Sequence, residues 1–247
     1  MKSKTFAGAF LIFLGSVLTF KGVLEVNQSL INAGIGGVFL GIVVLSFSSP
    51  SYVKYDTLER MLKPYIDLTR SLVKALELKT KAVYIPPFGN LPEGGVFIPV
   101  HENFDIDIAR LNENSVFVTD VGREKELGVL TIPLGKELVK AYEEYIEMDL
   151  ANAGIEAVEN ASAVLRSLGL AKSVTIEKND KIKVYVEGVK MKNCSSECEA
   201  IACPICSSVL LALAKSLNEL IIVERFEIKS NVIEITVKKI GRPMKWM

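Results

Sequence analysis

The four cysteines of this chain lie within thirteen residues, close enough in sequence to do chemistry together. They are Cys194, Cys198, Cys203 and Cys206, in the pattern C-x3-C-x4-C-x2-C. Four thiolates form the usual tetrahedral ligand set of structural zinc. The spacing differs from that of zinc ribbons, in which a dozen or more residues separate two C-x2-C knuckles. The cluster therefore predicts a structural metal site, with zinc favoured over an iron–sulfur cluster.

Two other interpretations of the cysteine cluster stay open. Structural disulfides would join the sulfurs in pairs, with three possible connectivities. Disulfides are rare inside cells, but one Gln, one His and abundant Lys and Glu are typical of hyperthermophilic proteins, which do form them. The third interpretation is a redox-active Cys203-Pro204-Ile205-Cys206 motif at the start of a helix, similar to a glutaredoxin active site. The positive end of the helix dipole would favour its thiolates.

A thiol–disulfide oxidoreductase using Cys203 and Cys206 is therefore the alternative function. The context differs from that of a thioredoxin-like fold, because no strong strand leads into Cys203. The only proline after Cys206 is Pro243, near the end of the sequence, so the cis-proline that would face such a dithiol is missing.

Elsewhere the sequence contains no clear catalytic combination. The one histidine, His101, lies in a proline-rich stretch far from every cysteine, and we expect it on the surface. Neither Gly94-Gly95 nor Gly135-Lys136 matches the spacing of a phosphate-binding loop. The sequence thus favours a protein that is not an enzyme.

The composition points to an apolar N-terminal segment joined to an ordinary globular part. The chain has 247 residues, 29 basic and 29 acidic side chains, and a mean hydropathy of +0.32. Residues 1–50 contain only three lysines and one glutamate, which leaves 26 basic and 28 acidic residues in the remainder. This balance excludes a nucleic-acid binder that works by bulk positive charge, and it excludes an acidic disordered chain.

Residues 1–50 predict a transmembrane hairpin of two helices. The apolar runs at 5–26 and 29–49 approach the roughly 20 residues that a helix needs to cross a bilayer. A cleaved signal peptide is the alternative for the first run, but no small-x-small cleavage site follows it and a second span begins at once. Gly37 and Gly41 form a G-x-x-x-G pattern that allows close helix approach, within the hairpin or between chains.

The distribution of basic residues predicts the orientation of this hairpin. Five flank its outer ends, whereas only Lys21 lies between the two runs; the five are Lys2, Lys4, Lys54, Arg60 and Lys63. Since cytoplasmic flanks retain Lys and Arg, we expect a multi-pass protein of the cell membrane with both termini in the cytoplasm.

The remaining sequence predicts an α+β domain with antiparallel sheet. Residues 51–80 have apolar side chains at helical spacing and form a linker helix, interrupted by Pro64. Residues 81–133 form a β-rich segment broken by Pro and Gly. Residues 134–247 predict two helices, a hairpin, the four-cysteine loop, a helix that begins at Pro204, and a closing hairpin that turns at Ser230 and Asn231.

The C-terminal segment resembles the 4-vinyl reductase domain family, which is related to the TRAPP tethering subunits and more distantly to haem-based nitric-oxide sensors. The resemblance covers residues 134–237 and depends on a helix-ending Gly169, a helix started by Pro and Cys at 203–217, and a closing hairpin with Val223 and Glu224. It implies an α/β fold, often dimeric, that binds small hydrophobic molecules or partner proteins. It also implies that Cys203 and Cys206 are metal ligands. The order of two membrane helices and then this domain resembles archaeal membrane proteins.

These observations predict a membrane-anchored cytoplasmic domain that binds a small hydrophobic ligand or a partner protein, as a sensor or scaffold. The four cysteines would form its structural site, with zinc or disulfides. We also expect the chain to form a homodimer, and we do not expect it to bind nucleic acid. The basic C-terminal tail with Trp246 would either touch lipid headgroups or be frayed.

Overall fold

The computed structural model describes residues 2–46, 55–78, 81–114, 116–119, 122–179, 181–190, 198 and 201–246. The chain forms two compact units, Met1–Leu58 and Glu59–Met247. The first contains α1 (Lys2–Leu24) and α2 (Gln28–Ser46). Asn27 ends their connection and caps α2, because its side-chain oxygen accepts hydrogen bonds from the backbone amides of Ser29 and Leu30.

The two N-terminal helices are long and apolar enough to cross a membrane, over Phe6–Leu24 and Gln28–Ser46. Their outward positions are large apolar side chains that the structure leaves exposed, among them Phe6, Phe13 and Phe39. The two predicted apolar helices are therefore confirmed.

Glycines form the contact between α1 and α2. Those buried in the contact recur every seven residues and are Gly8, Gly15 and Gly22 in α1 and Gly34 and Gly41 in α2. A Cβ atom on Gly34 would lie 2.5 Å from the backbone nitrogen of Thr19 and 2.7 Å from the carbonyl oxygen of Gly15. Since no side chain fits there, only glycine allows the helices to approach this closely. The expected Gly37 and Gly41 pair thus belongs to a longer seam within the hairpin.

The second unit is an α+β domain with antiparallel sheet, as predicted. The strands that the structure describes form one sheet, in which each pair is antiparallel, in the order β3-β4-β2-β1-β7-β8-β6-β5. The strands are β1 (Val83–Ile85), β2 (Gly95–Pro99), β3 (Phe117–Val118), β4 (Gly128–Thr131), β5 (Ser173–Lys178), β6 (Ile182–Glu187), β7 (Leu220–Lys229) and β8 (Val232–Gly241). The helices are α3 (Tyr55–Ala75), α4 (Lys136–Ile146), α5 (Ile155–Ala161), α6 (Ala163–Ser167) and α7 (Pro204–Leu217).

One pair of strands joins the two β-containing segments of the sequence. The segment 81–133 supplies β1 to β4 and the segment 134–247 supplies β5 to β8. The pairing of β1 with β7, in which Val83 lies opposite Ile222, makes them a single sheet. The closing hairpin turns at Ser230, whose φ of 55° is left-handed, and Asn231, as expected.

The two faces of the sheet bury different cores. Side chains alternate along β1, so that Val83 and Ile85 join a cluster with Phe97 and Leu130, whereas Tyr84 points towards α7. The C-terminal Trp246 packs against the edge of the first cluster, and its ring stacks on Phe104 with centroids 6.4 Å apart. The sequence predicts that Trp246 lies in a frayed tail or touches lipid headgroups. That prediction is corrected, because the ring packs against apolar residues of this unit.

Helix α7 is the central helix, buried by the sheet on one side and by α4 and α5 on the other. Gly135, which precedes α4, makes the closest approach to it. A Cβ atom on Gly135 would overlap the backbone of Ser208 and lie 2.6 Å from the carbonyl oxygen of Pro204.

We predict that Gly135→Ala destabilises the globular unit, because α4 would have to move away from α7. Overpacking of this kind costs about 1–3 kcal/mol. The measurement is urea unfolding followed by the fluorescence of Trp246, the one tryptophan of the chain. Gly122→Ala is the matched control, since a Cβ there meets nothing within 4 Å. Equal unfolding midpoints for the two variants would contradict the prediction.

Candidate functional site

The predicted cysteine site lies at the start of α7. Pro204 is the first residue of this helix and Cys203 its N-cap residue, as the sequence predicts. Cys198 and Cys203 are each 1% exposed and Cys206 is fully buried. Cys194 lies outside the described residues. The structure therefore brings three of the four predicted sulfurs into the interior around one helix end.

Two of the three described sulfurs, those of Cys198 and Cys206, are free thiols. No disulfide joins two of these three residues. A zinc ion would need Cys203 as a thiolate, so metal ligation and a disulfide exclude each other at this residue. Within the described ranges no group of three or more His, Cys, Asp or Glu could hold a metal ion. The zinc site of four cysteines stays a prediction, since Cys194 is not described.

Burial controls the chemistry of Cys206. Desolvation raises the pKa of its thiol, and the neighbouring Cys198 raises it further. The sequence predicts the opposite for this residue, because the positive end of a helix favours a thiolate. That expectation is corrected, since the cost of placing a charge in an apolar interior exceeds the attraction of the helix dipole.

Two buried tyrosines occupy the space around Cys206. Tyr84 of β1 shares a hydrogen bond with Ser207, and the hydroxyl of Tyr142 in α4 lies 2.7 Å from Oγ of Ser208. Ser208 Oγ in turn lies 2.7 Å from the carbonyl oxygen of Ile205, to which it donates. Desolvation raises the pKa of both tyrosines, which keeps them neutral. The two tyrosine–serine pairs around Cys206 are thus hydrogen-bonded and uncharged.

One charged side chain reaches this cluster. Arg70 of α3 directs Nη2 at Sγ of Cys198, at 3.8 Å. This contact connects α3 to Cys198. His101, by contrast, lies on the surface as expected, with Nε2 3.7 Å from a carboxylate oxygen of Glu124.

A separate cleft of about 790 Å³ opens on the globular unit. Its described walls come from the β1–β2 turn, the segment before β3, the end of β4 and the start of α4, and they comprise Leu91, Pro92, Glu93, Gly94, Gly95, Glu113, Asn114, Val116, Leu130, Thr131, Ile132, Leu134 and Lys136. Most of the lining is apolar, and the charged side chains among these residues are Glu93, Glu113 and Lys136.

Two charged residues of the cleft, Glu93 and Lys136, belong to an ion-pair network that extends into α4. Glu93 lies 2.5 Å from Nζ of Lys136 and 2.8 Å from Nζ of Lys140, which is also 3.2 Å from Glu137. Hydrogen bonds from the two lysines lower the pKa of Glu93 from 4.5 to about 2. Glu93 therefore remains a carboxylate at any physiological pH.

The Gly94-Gly95 pair shapes the cleft. Gly94 has a φ of 73°, and a Cβ there would lie 2.6 Å from the carbonyl oxygen of Ile85. The glycine thus allows the tight turn that brings β2 back beside β1. The sequence offers no signal for the cleft itself, because Glu93 and Lys136 come from separate elements that only the folded sheet brings together.

The architecture is that of an α+β protein that begins with two apolar helices of membrane-spanning length. The chain belongs to the family described as "Domain of unknown function (DUF7982)", whose model matches residues 2–238. The match includes both apolar helices and all of the globular unit up to β8. No curated protein and no solved structure matches the chain.

The state of the sulfurs gives a direct prediction for alkylation and mass spectrometry. Cys198 and Cys206 should react with iodoacetamide only after denaturation, because both thiols are buried. Cys203 should likewise react only after denaturation, because it is 1% exposed. Peptide mapping reports each residue. Alkylation of any of these three cysteines in the native chain would contradict the prediction.

The Glu93 network predicts a pH-dependent stability. Because the pKa of Glu93 is depressed, its contribution is complete above about pH 4.5 and is lost as the pH falls towards 2. Since its side chain is 36% exposed, solvent screens the pairs and we expect Glu93→Gln to cost about 1 kcal/mol or less at pH 7.

The measurement for Glu93→Gln is the unfolding midpoint as a function of pH. The difference from the unmodified chain should shrink between pH 4.5 and pH 2. Glu137→Gln is the control, because Glu137 also pairs with Lys140 but is 69% exposed. A difference independent of pH would show that the network does not stabilise the fold.

Proposed function

We propose that this chain is a membrane-anchored domain that binds a small ligand in the cleft beside α4. The main support for this proposal is the cleft itself. Its volume of about 790 Å³ lies within the roughly 300–1,000 Å³ that small-molecule sites occupy, and its lining combines apolar walls with few polar groups, as such sites do. The resemblance to ligand-binding 4-vinyl reductase domains is consistent with this role.

The chemistry of the cleft walls suggests the class of ligand. The exposed side chains of Val116 and Ile132 offer apolar surface, which favours a hydrophobic body. The Glu93 and Lys136 pair adds both an acceptor and a donor to the cleft wall. A small hydrophobic molecule that carries one polar group matches this arrangement.

The anchoring part of the proposal depends on α1 and α2. We infer that both cross the cell membrane, with the chain's termini in the cytoplasm. Five basic residues of the sequence flank the outer ends of the hairpin and only Lys21 lies between the helices, which supports this orientation.

The cysteines act structurally in this proposal. A thiol–disulfide oxidoreductase needs a reactive sulfur that a substrate can reach. Cys203 is 1% exposed and Cys206 is fully buried, and desolvation raises the pKa of the Cys206 thiol. The burial therefore supports a role in stability and weighs against the enzyme alternative.

Ligand binding is tested by changing one apolar wall of the cleft. Ile132→Asp places a carboxylate where an apolar ligand would lie, on a side chain that is exposed and can be replaced without a cavity. We expect a small molecule that copurifies with the intact chain, detected by mass spectrometry of the extracted protein, to be lost from this variant.

Ile228→Asp is the matched control, because Ile228 is an exposed isoleucine on β7 outside the cleft. It should retain the molecule at the level of the unmodified chain. The same set of copurifying molecules in all three proteins would show that the cleft binds none of them.

A further inference from the structure

The linker helix α3 has two distinct apolar faces. One packs on the globular unit, where Ile66 is 3% exposed and Arg70 reaches Cys198. The other faces solvent and consists of large side chains, with Met61 63%, Tyr65 68%, Leu68 60% and Leu72 38% exposed. A row of exposed large apolar residues on one helix marks an interaction surface.

The spacing of these exposed residues is that of a coiled-coil seam. Met61, Tyr65, Leu68, Leu72 and Ala75 follow one another at intervals of four, three, four and three residues. All five are exposed. This heptad pattern places them at alternating d and a positions, where two helices interlock. A helix that lies on a bilayer instead has a broad apolar face whose polar face is rich in Lys and Arg.

The charges on α3 favour a second copy over a lipid surface. The e and g positions that border the seam are uncharged, namely Leu62, Pro64, Thr69, Ser71 and Leu76. Two identical helices can therefore approach without repulsion between like charges. The helix carries three acidic and four basic side chains, so its positive excess is small, unlike the Lys and Arg clusters that bind anionic lipid. The acidic residues are Asp56, Glu59 and Asp67, and the basic ones are Arg60, Lys63, Arg70 and Lys74.

Membrane anchoring would favour the pairing of two copies. Confinement to the membrane plane raises their effective concentration. Ile66 and Arg70 attach another side of α3 to the globular unit, so the seam stays available to a partner.

We propose that the chain forms a homodimer through the exposed α3 seam of Met61, Tyr65, Leu68, Leu72 and Ala75. This interaction is independent of ligand binding in the cleft. Leu68 is the middle residue of the seam, so that Leu68 of one protomer meets Leu68 of its partner.

The test is disulfide cross-linking of the full chain in phosphatidylcholine vesicles at a low protein-to-lipid ratio. Leu68→Cys should give a band of doubled mass on a non-reducing gel after mild oxidation. Lys63→Cys is the control, because Lys63 is exposed on the same helix at an f position, away from the seam. It should remain monomeric, as should the unmodified chain, whose Cys198 and Cys206 thiols are buried.

Equal cross-linking of the two variants, or none in either, overturns the proposal. Protection of Leu68→Cys from a water-soluble maleimide in a chain that does not cross-link would also overturn it, since the face would then lie on lipid. Leu68→Glu gives an independent measurement. In detergent its sedimenting mass should fall to half that of the unmodified chain, and an unchanged mass contradicts the seam.

Discussion

The burial of α7 on all sides is the constraint on which the globular unit depends. The sheet covers one side of this helix and α4 and α5 cover the other, so that polar groups carried inside need partners within the protein. Tyr84 and Tyr142 supply those partners to two consecutive serines of the helix. Gly135 lets the start of α4 contact the first turn of α7, because glycine has no side chain. The three described cysteines thereby lie in a dry interior.

Cys206 shows how this burial decides between two electrostatic effects. A helix N-terminus stabilises a nearby anion by about 0.3–1 kcal/mol. Full desolvation of an ionisable group opposes the charged form by roughly 4 kcal/mol or more. The second effect is larger, and the pKa of the Cys206 thiol rises. A C-P-x-C motif at a helix start is therefore reactive only where solvent reaches it.

Features that depend on local sequence could be predicted, and those that depend on long-range pairing could not. The apolar runs identified α1 and α2, Pro204 marked the start of α7, and Ser230 and Asn231 marked a turn, because each signal lies within a few residues. The seven-residue spacing of the contact glycines is present in the sequence, but only the G-x-x-x-G pair of Gly37 and Gly41 matched a familiar pattern.

The union of both β-segments in one sheet depends on the pairing of β1 with β7, whose residues are far apart along the chain. The cleft depends on this long-range folding too, since Glu93 meets Lys136 only when the β1–β2 turn lies beside α4. No local sequence pattern predicts this ion pair, because Glu and Lys are both common on protein surfaces. The cysteines, by contrast, can be recognised from their clustering in the sequence. Their burial depends on the same long-range packing and could not be predicted.

The first turn of α4 connects the cleft to the core. Lys136 lines the cleft, and the adjacent Gly135 contacts the backbone of α7 at Pro204 and Ser208. A cleft lysine on a helix fixed so closely to the core has little freedom to move, and Glu93 restrains its ammonium group further. The Glu93 and Lys136 pair in the cleft is thus preorganised by packing that depends on a single glycine. The small ligand that we propose would therefore avoid much of the cost of ordering this part of its site.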